Sequence, residues 1–122
     1  MATFDDVREI AMALPEAEEI VTWEVDITFR VRGKIFAIGG EGSPSVSIKA
    51  TPATQAELIE RDPATFRPSA YVGRYGWVTA ELERVEDGLL RTLLVEAWRM
   101  TAPKRLAATF DAAATGGRPG TA

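Results

Sequence analysis

Phe4, Val7, Ile10, Ala11 and Leu14 recur at the spacing of a helix that lays one face on a core. Thr3 precedes the run and Asp6 follows it by three residues, a pair suited to capping the first turn. Pro15 stops the pattern. The period then changes from helical to two. EAEEIVTWE reads as an edge strand or the approach to one, and DITFRVR alternates strictly. Ile27, Phe29 and Val31 point one way, and Thr28, Arg30 and Arg32 the other. Gly33-Lys34 reads as a tight turn, and KIFAIGG as the returning strand. In SVSIKA, Val46 and Ile48 face inward while Ser45, Ser47 and Lys49 face outward.

A short helix is predicted within TPATQAELIERDP, capped by Thr51 or Thr54 and stopped by Pro63. FRPSAYVG reads as irregular. RYGWVTAEL returns to alternation, with Val78, Ala80 and Leu82 inward and Tyr75, Trp77, Thr79 and Glu81 outward. Leu89, Leu90, Leu93, Leu94, Ala97 and Trp98 then form the stripe of a long helix that Pro103 breaks. Lys104 to Ala113 resumes as a last helix. These elements predict one α+β domain over residues 1–114, with an antiparallel sheet of four to five strands, helices packed on one face, and a flexible tail over 115–122.

Composition narrows the chemistry. The chain has 122 residues with no cysteine and no histidine. Disulfides, thiol nucleophiles, histidine-based dyads and imidazole metal sites are therefore excluded. The expectation is a protein that is not an enzyme and uses no cofactor. No apolar run approaches the roughly 18 residues of a membrane span, and the opening MATFDDVREI is acidic, so a cytoplasmic location is expected. Net charge is −4, which repels nucleic acid at long range. Acid is concentrated at the start, with seven acids and one arginine in residues 1–24. The remainder carries 13 bases and 11 acids.

ITFRVRGKIFA, the following strand and helix, FRPSAYVGRYGWVTAEL, and the leucine-rich helix ending EAWRMTAPKRLA together resemble the MmcQ/YjbR family. The resemblance covers about residues 3–110, and RGKIFA and GRYGW are its most specific parts. It implies a frataxin-like (CyaY-like) fold. Family members are commonly labelled DNA-binding, which implies a small binding protein with DNA as its partner.

The outward positions carry the candidate site. Arg30, Arg32, Lys49, Tyr75 and Trp77 fall on one side of the predicted sheet, with Lys34 in the turn and Arg67 and Arg74 flanking the irregular segment. Bases stack on aromatic rings and phosphates pair with Arg and Lys. Each residue also has a structural explanation. Trp77 after Gly76 packs a sheet edge as readily as it meets a ligand. Arg30 and Arg32 suit any solvated sheet face, Lys34 suits a solvated turn, and Arg67 pairs with Glu57 or Glu60. A protein partner or small ligand on the same aromatic surface is the alternative. The acids Asp5, Asp6, Glu9, Glu16, Glu18 and Glu19 have the oxygen chemistry of a weak hard-cation site. Helix capping and solvation account for them without one, so no metal site is expected.

Overall fold

The structure is a computed structural model that describes residues 2–22 and 26–116. Helix α1 spans Phe4–Met12. Thr3 Oγ1 accepts from the Asp6 N–H at 3.4 Å, and the Asp6 carboxylate accepts from the Thr3 N–H at 2.8 Å. This is the reciprocal cap expected from the sequence, and it satisfies two orphan donors of the first turn. The helix buries Phe4, Val7, Ile10 and Ala11.

Among the described residues six strands follow around one inserted helix. They are β1 (Ala17–Thr22), β2 (Asp26–Val31), β3 (Lys34–Gly39), β4 (Ser45–Ile48), β5 (Phe66–Pro68) and β6 (Val78–Glu81), with α2 (Pro52–Arg61) between β4 and β5. The order across the sheet is β1-β2-β3-β4-β6-β5, and every pairing is antiparallel. β1 is the edge strand expected from EAEEIVTWE, although Trp23 and Glu24 of that stretch lie outside the described residues.

Six strands rather than four to five corrects the sequence reading. The added strand is β5, in the segment read as irregular. Three residues ending in proline leave no alternation to detect, and only pairing with β6 makes them a strand. The hairpin turn also moves. Arg32 (φ +51°) and Gly33 (φ +79°) are its two central residues, and Lys34 opens β3. Positive φ at both positions is what a two-residue hairpin turn requires. Arg32 therefore stands in a turn rather than on the strand face.

A bulge sits on β3. Phe29 pairs with Ala37, but Arg30 pairs with Ile35, so Phe36 is the extra residue. Phe36 and Ala37 are both fully buried, and Ile35 is diverted to the opposite face.

Long helix α3 (Asp87–Thr101) and α4 (Lys104–Gly116) complete the chain. Helix α4 runs past the expected domain end at residue 114, and residues 117–122 of the expected tail lie outside the described residues. α1 and α3 close over the face carrying Ile27, Phe29, Val31, Val46, Ile48, Val78 and Ala80. Helices on one face is thus the arrangement found. Among the described residues Trp98 is the largest fully buried side chain; its indole N–H donates to the Pro15 carbonyl at 3.0 Å. Its ring lies 5.0 Å from that of Phe110, which seats α4 on α3. Arg99 bridges Glu96 and Asp111 at 2.7 Å each across the same joint.

Gly76 marks where the β5–β6 connection meets the start of α2. Its φ is +106°, and a Cβ there would lie 2.5 Å from the Ala50 carbonyl oxygen and 2.7 Å from the Pro52 nitrogen. Those neighbours are backbone and cannot swing away. Gly33 also has positive φ, but nothing lies within 4 Å of its would-be Cβ. The two glycines separate conformational strain from collision. Gly33→Ala is expected to cost about 1 kcal/mol, and Gly76→Ala more than about 3 kcal/mol. Urea denaturation of both variants measures the difference; equal losses would show that the approach to α2 does not constrain the fold.

Candidate ligand-binding end of the sheet

The hairpins determine which side chains share an end of the sheet. β3 starts where β2 finishes, β4 finishes beside the start of β3, and β6 starts beside the end of β4. Arg30, Arg32, Lys34, Lys49 and Trp77 therefore gather at one end, where the β5–β6 connection with Arg74 and Tyr75 also projects. Of the eight predicted residues only Arg67, opposite Thr79 in mid-strand, stands back from it. The other end carries Asp26, Glu41 and Glu81.

Arg30 is half-buried on the outward face, and its Nε donates to Thr28 Oγ1 at 3.0 Å. Thr28 in turn donates to the Ile20 carbonyl at 2.9 Å. A second set of hydroxyls continues across the face: Ser47 Oγ lies 3.1 Å from Thr79 Oγ1, and Ser69 Oγ 2.9 Å from the same atom. Extending the β4–β6 register by one residue places Lys49 opposite Trp77. On that extension Arg30, Lys49 and Trp77, each half-buried, fall in one row across the strands. Arg30 to Trp77 is about 14 Å at the usual strand spacing. Lys49 also borders a groove of about 340 Å³ between α2 and α3.

Two predicted cations are neutralised. Arg32 forms a two-pronged ion pair with Glu16, one contact at 3.0 Å. Arg67 pairs with Glu81, not with Glu57 or Glu60, because the β5–β6 register brings Glu81 beside it. Arg30, Lys34, Lys49 and Arg74 form no ion pair with any described residue.

Tyr75 leaves the strand. It belongs to a 3-10 turn, Gly73–Tyr75, so the outward position predicted from alternation is corrected. Gly76 in the left-handed region separates it from Trp77, and Tyr75 projects into solvent at 60% exposure. The Arg74 guanidinium lies 4.8 Å from its ring centroid and donates to its hydroxyl at 2.8 Å. Trp77 keeps its outward position, and its carbonyl accepts from the Ser69 N–H at 3.1 Å and from Gln55 Nε2 at 2.7 Å. Gln55 Nε2 also donates to the Gly73 carbonyl at 2.7 Å. Sequence reasoning did not single out Gln55, and nothing in its helical context marks it.

Tyr71 was missed as well. It is 95% exposed, and its φ is +64°. Among the described residues three non-glycine positions have positive φ: Glu16, Arg32 and Tyr71. The first two are held by their mutual ion pair and by tight turns. Tyr71 has no packing that compels its conformation, which costs about 1–2 kcal/mol.

Two acids of the N-terminal segment, Asp5 and Glu19, converge on Arg8, while Glu16 pairs with Arg32 and Asp6 caps α1. Arg8 contacts Glu19 at 2.9 Å, Asp5 at 3.0 Å and Glu41 at 2.5 Å. Hydrogen bonds to Glu19 and then Glu41 push the Arg8 guanidinium above its ordinary value, so it stays charged. Among the described residues no group of three or more Asp and Glu is arranged to hold a metal ion. No helix among them is long and apolar enough to cross a membrane.

The family model described as YjbR matches residues 12–100, most of the chain and every strand that builds this end of the sheet. The chain belongs to the YjbR family. Uncharacterised proteins of Mycobacterium bovis and Mycobacterium tuberculosis are each 29% identical to it over 125 residues, covering 90% of this chain and 96% of theirs. The crystal structure of Deinococcus radiodurans protein DR2400, which contains a DUF419 domain, is similar with a TM-score of 0.75. That likeness has 25% identity and covers 82% of this YjbR chain and 78% of the other.

The Arg32–Glu16 pair carries a pH consequence. The hydrogen bond from Arg32 holds the Glu16 carboxyl below its ordinary value and raises Arg32 in return. A lowered carboxylate stabilises the fold above its unfolded value, and that contribution disappears as pH falls through the folded value. Glu16→Gln removes it. The difference in urea midpoint between the parent and Glu16→Gln is expected to be constant above about pH 5 and to shrink toward zero below about pH 4. A difference independent of pH would show that the pair does not couple to folding.

Proposed function

We propose that this YjbR protein is a non-enzymatic binding module that holds single-stranded nucleic acid across the basic end of its sheet. One observation carries the reading: Arg30, Lys34, Lys49 and Arg74, none ion-paired with a described residue, share that end with Trp77 and Tyr75. Cations meet phosphates, and exposed ring faces accept unstacked bases of any sequence. A duplex offers no free base faces to these rings. Four cations suit a short single strand better. The absence of His and Cys supports binding without catalysis.

A protein partner on the same surface is the second reading. Ile35, Ile38 and Trp77 are half-buried yet stand outside the hydrophobic core cluster, so the outward face has an apolar centre. Arginine and tryptophan are the residue types that anchor protein interfaces. The unpaired cations favour the anionic ligand over this reading.

Fluorescence anisotropy with labelled single- and double-stranded oligonucleotides tests the proposal. Four phosphate contacts give a slope of log affinity against log salt near −3 for a single strand. Affinity should therefore fall about 50-fold between about 50 and 200 mM salt. The double variant Arg30→Ala/Lys49→Ala should halve the slope, leaving about a 7-fold fall. Absence of binding to any oligonucleotide at about 50 mM salt would remove this reading and leave the protein partner.

A further inference from the structure

We infer that the β5–β6 connection, residues 69–77, is a preformed stacking clamp and that Tyr71 is its contact residue for an unpaired base. The inference rests on the single-strand reading above and names a residue that reading does not use.

The connection is long for a hairpin, and its base is tied at every side. The Ser69 N–H donates to the Trp77 carbonyl, continuing the β5–β6 ladder one step. Gln55 reaches from α2 and holds both the Gly73 and Trp77 carbonyls through one amide nitrogen. Gly76 is pressed on the backbone at the start of α2. The Gly73 N–H donates to Ser69 at 2.9 Å, and the Tyr75 N–H to Val72 at 3.0 Å. Backbone held this way has little freedom to lose when a ligand arrives.

Tyr71 sits at the tip. The Val72 N–H donates to the Ala70 carbonyl at 2.7 Å, which makes Tyr71 the centre of a three-residue turn with φ +64°. This positive-φ turn is a rare and strained form. Glycine adopts it freely, and a tyrosine there is disfavoured. The ring gains nothing from the fold in return, since it is 95% exposed. A large aromatic held in a strained turn, in full contact with water, on an anchored loop, has its explanation in what it meets. Beside it in the chain, Arg74 lies over the Tyr75 ring, and its guanidinium makes no ion pair with a described residue. Ring, cation and ring on one loop match base, phosphate and base of an extended single strand. The loop continues directly into Trp77, the end of the Arg30–Lys49 row.

The test uses the whole chain and a labelled oligothymidylate of about twelve residues, within the usual site sizes for single-strand binders. Affinity and its salt slope are measured for the parent, Tyr71→Phe, Tyr71→Ala and Tyr71→Gly, with a thermal melt of each. A stacked base is worth about a 5- to 150-fold change in affinity. Tyr71→Ala and Tyr71→Gly should weaken binding by a factor in that range with the salt slope unchanged, because a ring and not a charge is lost. Tyr71→Phe should bind like the parent. Tyr71→Gly should also melt no lower than the parent, because glycine relieves the turn. Affinities within twofold of the parent would overturn the clamp and leave the single-strand reading standing. A lower melting temperature for Tyr71→Gly would overturn it too, since the ring would then be structural. A parent that does not bind the oligonucleotide at all overturns both.

Discussion

A six-stranded sheet covered by helices on one side must solve two problems with one backbone. Its inward face has to be apolar enough to hold α1 and α3, and Phe29, Phe36, Ile48 and Val78 meet that need with complete burial. Its outward face carries no helical layer among the described residues, yet it has to stay cohesive in water. Here hydroxyls do that work. Thr28 and Thr79 are buried on the outward side, and each is tied to its neighbours by hydrogen bonds rather than by packing. A buried hydroxyl with its partners supplied costs little. The bulge at Phe36 serves both faces: it adds a second consecutive apolar residue to the core and turns Ile35 outward beside Arg30. An open, hydroxyl-tied face is the condition under which Arg30, Lys49 and Trp77 remain available.

The same sheet leaves its β5–β6 connection in need of support, and α2 provides it. Only Leu58 of α2 is buried, so the helix adds little to the core. Its Gln55 and its first turn instead hold the connection from below. Thr51 caps α2 by accepting from the Thr54 N–H at 3.1 Å, and Pro52 presets its first residue. The capped start of α2 is thus the rigid surface against which Gly76 closes. Local helix-start signals, a glycine and a single amide side chain together set the position of Tyr71, Arg74 and Tyr75.

Much of the fold was legible because its signals are local. The Thr3–Asp6 cap, the stripe of α3 and the inward sets on β2, β4 and β6 each follow from residues close in sequence. What was not legible depends on partners far along the chain. Phe66–Pro68 is a strand only because β6 lies beside it. Arg67 meets Glu81 rather than Glu57 because pairing, not spacing, decides its neighbour. Arg32 and Glu16 are joined through the start of β1 and the end of β2, and each needs a left-handed backbone that its residue type does not announce. Alternation continues through Tyr75 and so places it on a strand. The 3-10 turn that displaces it depends on Gly76 finding room against α2. Tyr71 lay inside a segment with no period at all.

Net charge misstates the field at the candidate site. The chain carries −4, which by itself argues against any anionic ligand. The distribution matters more than the sum. Asp5, Glu19 and Glu41 are gathered on Arg8, and Glu41 lies beyond the end of β3 opposite to Lys34. The six residues of β3 separate the two ends by about 17 Å. The screening length is about 8 Å at physiological ionic strength. At that salt the acidic end contributes little where Lys34, Lys49 and Arg74 stand, and the local balance there is positive. At about 0.01 M salt the screening length grows to about 30 Å, and the two ends no longer act independently. At working salt the field at the basic end is therefore set by the charges gathered there and not by the net charge of the chain. An acidic protein with a basic sheet end is for that reason consistent with a short anionic ligand taken by one end alone, and not with a long duplex laid across the molecule.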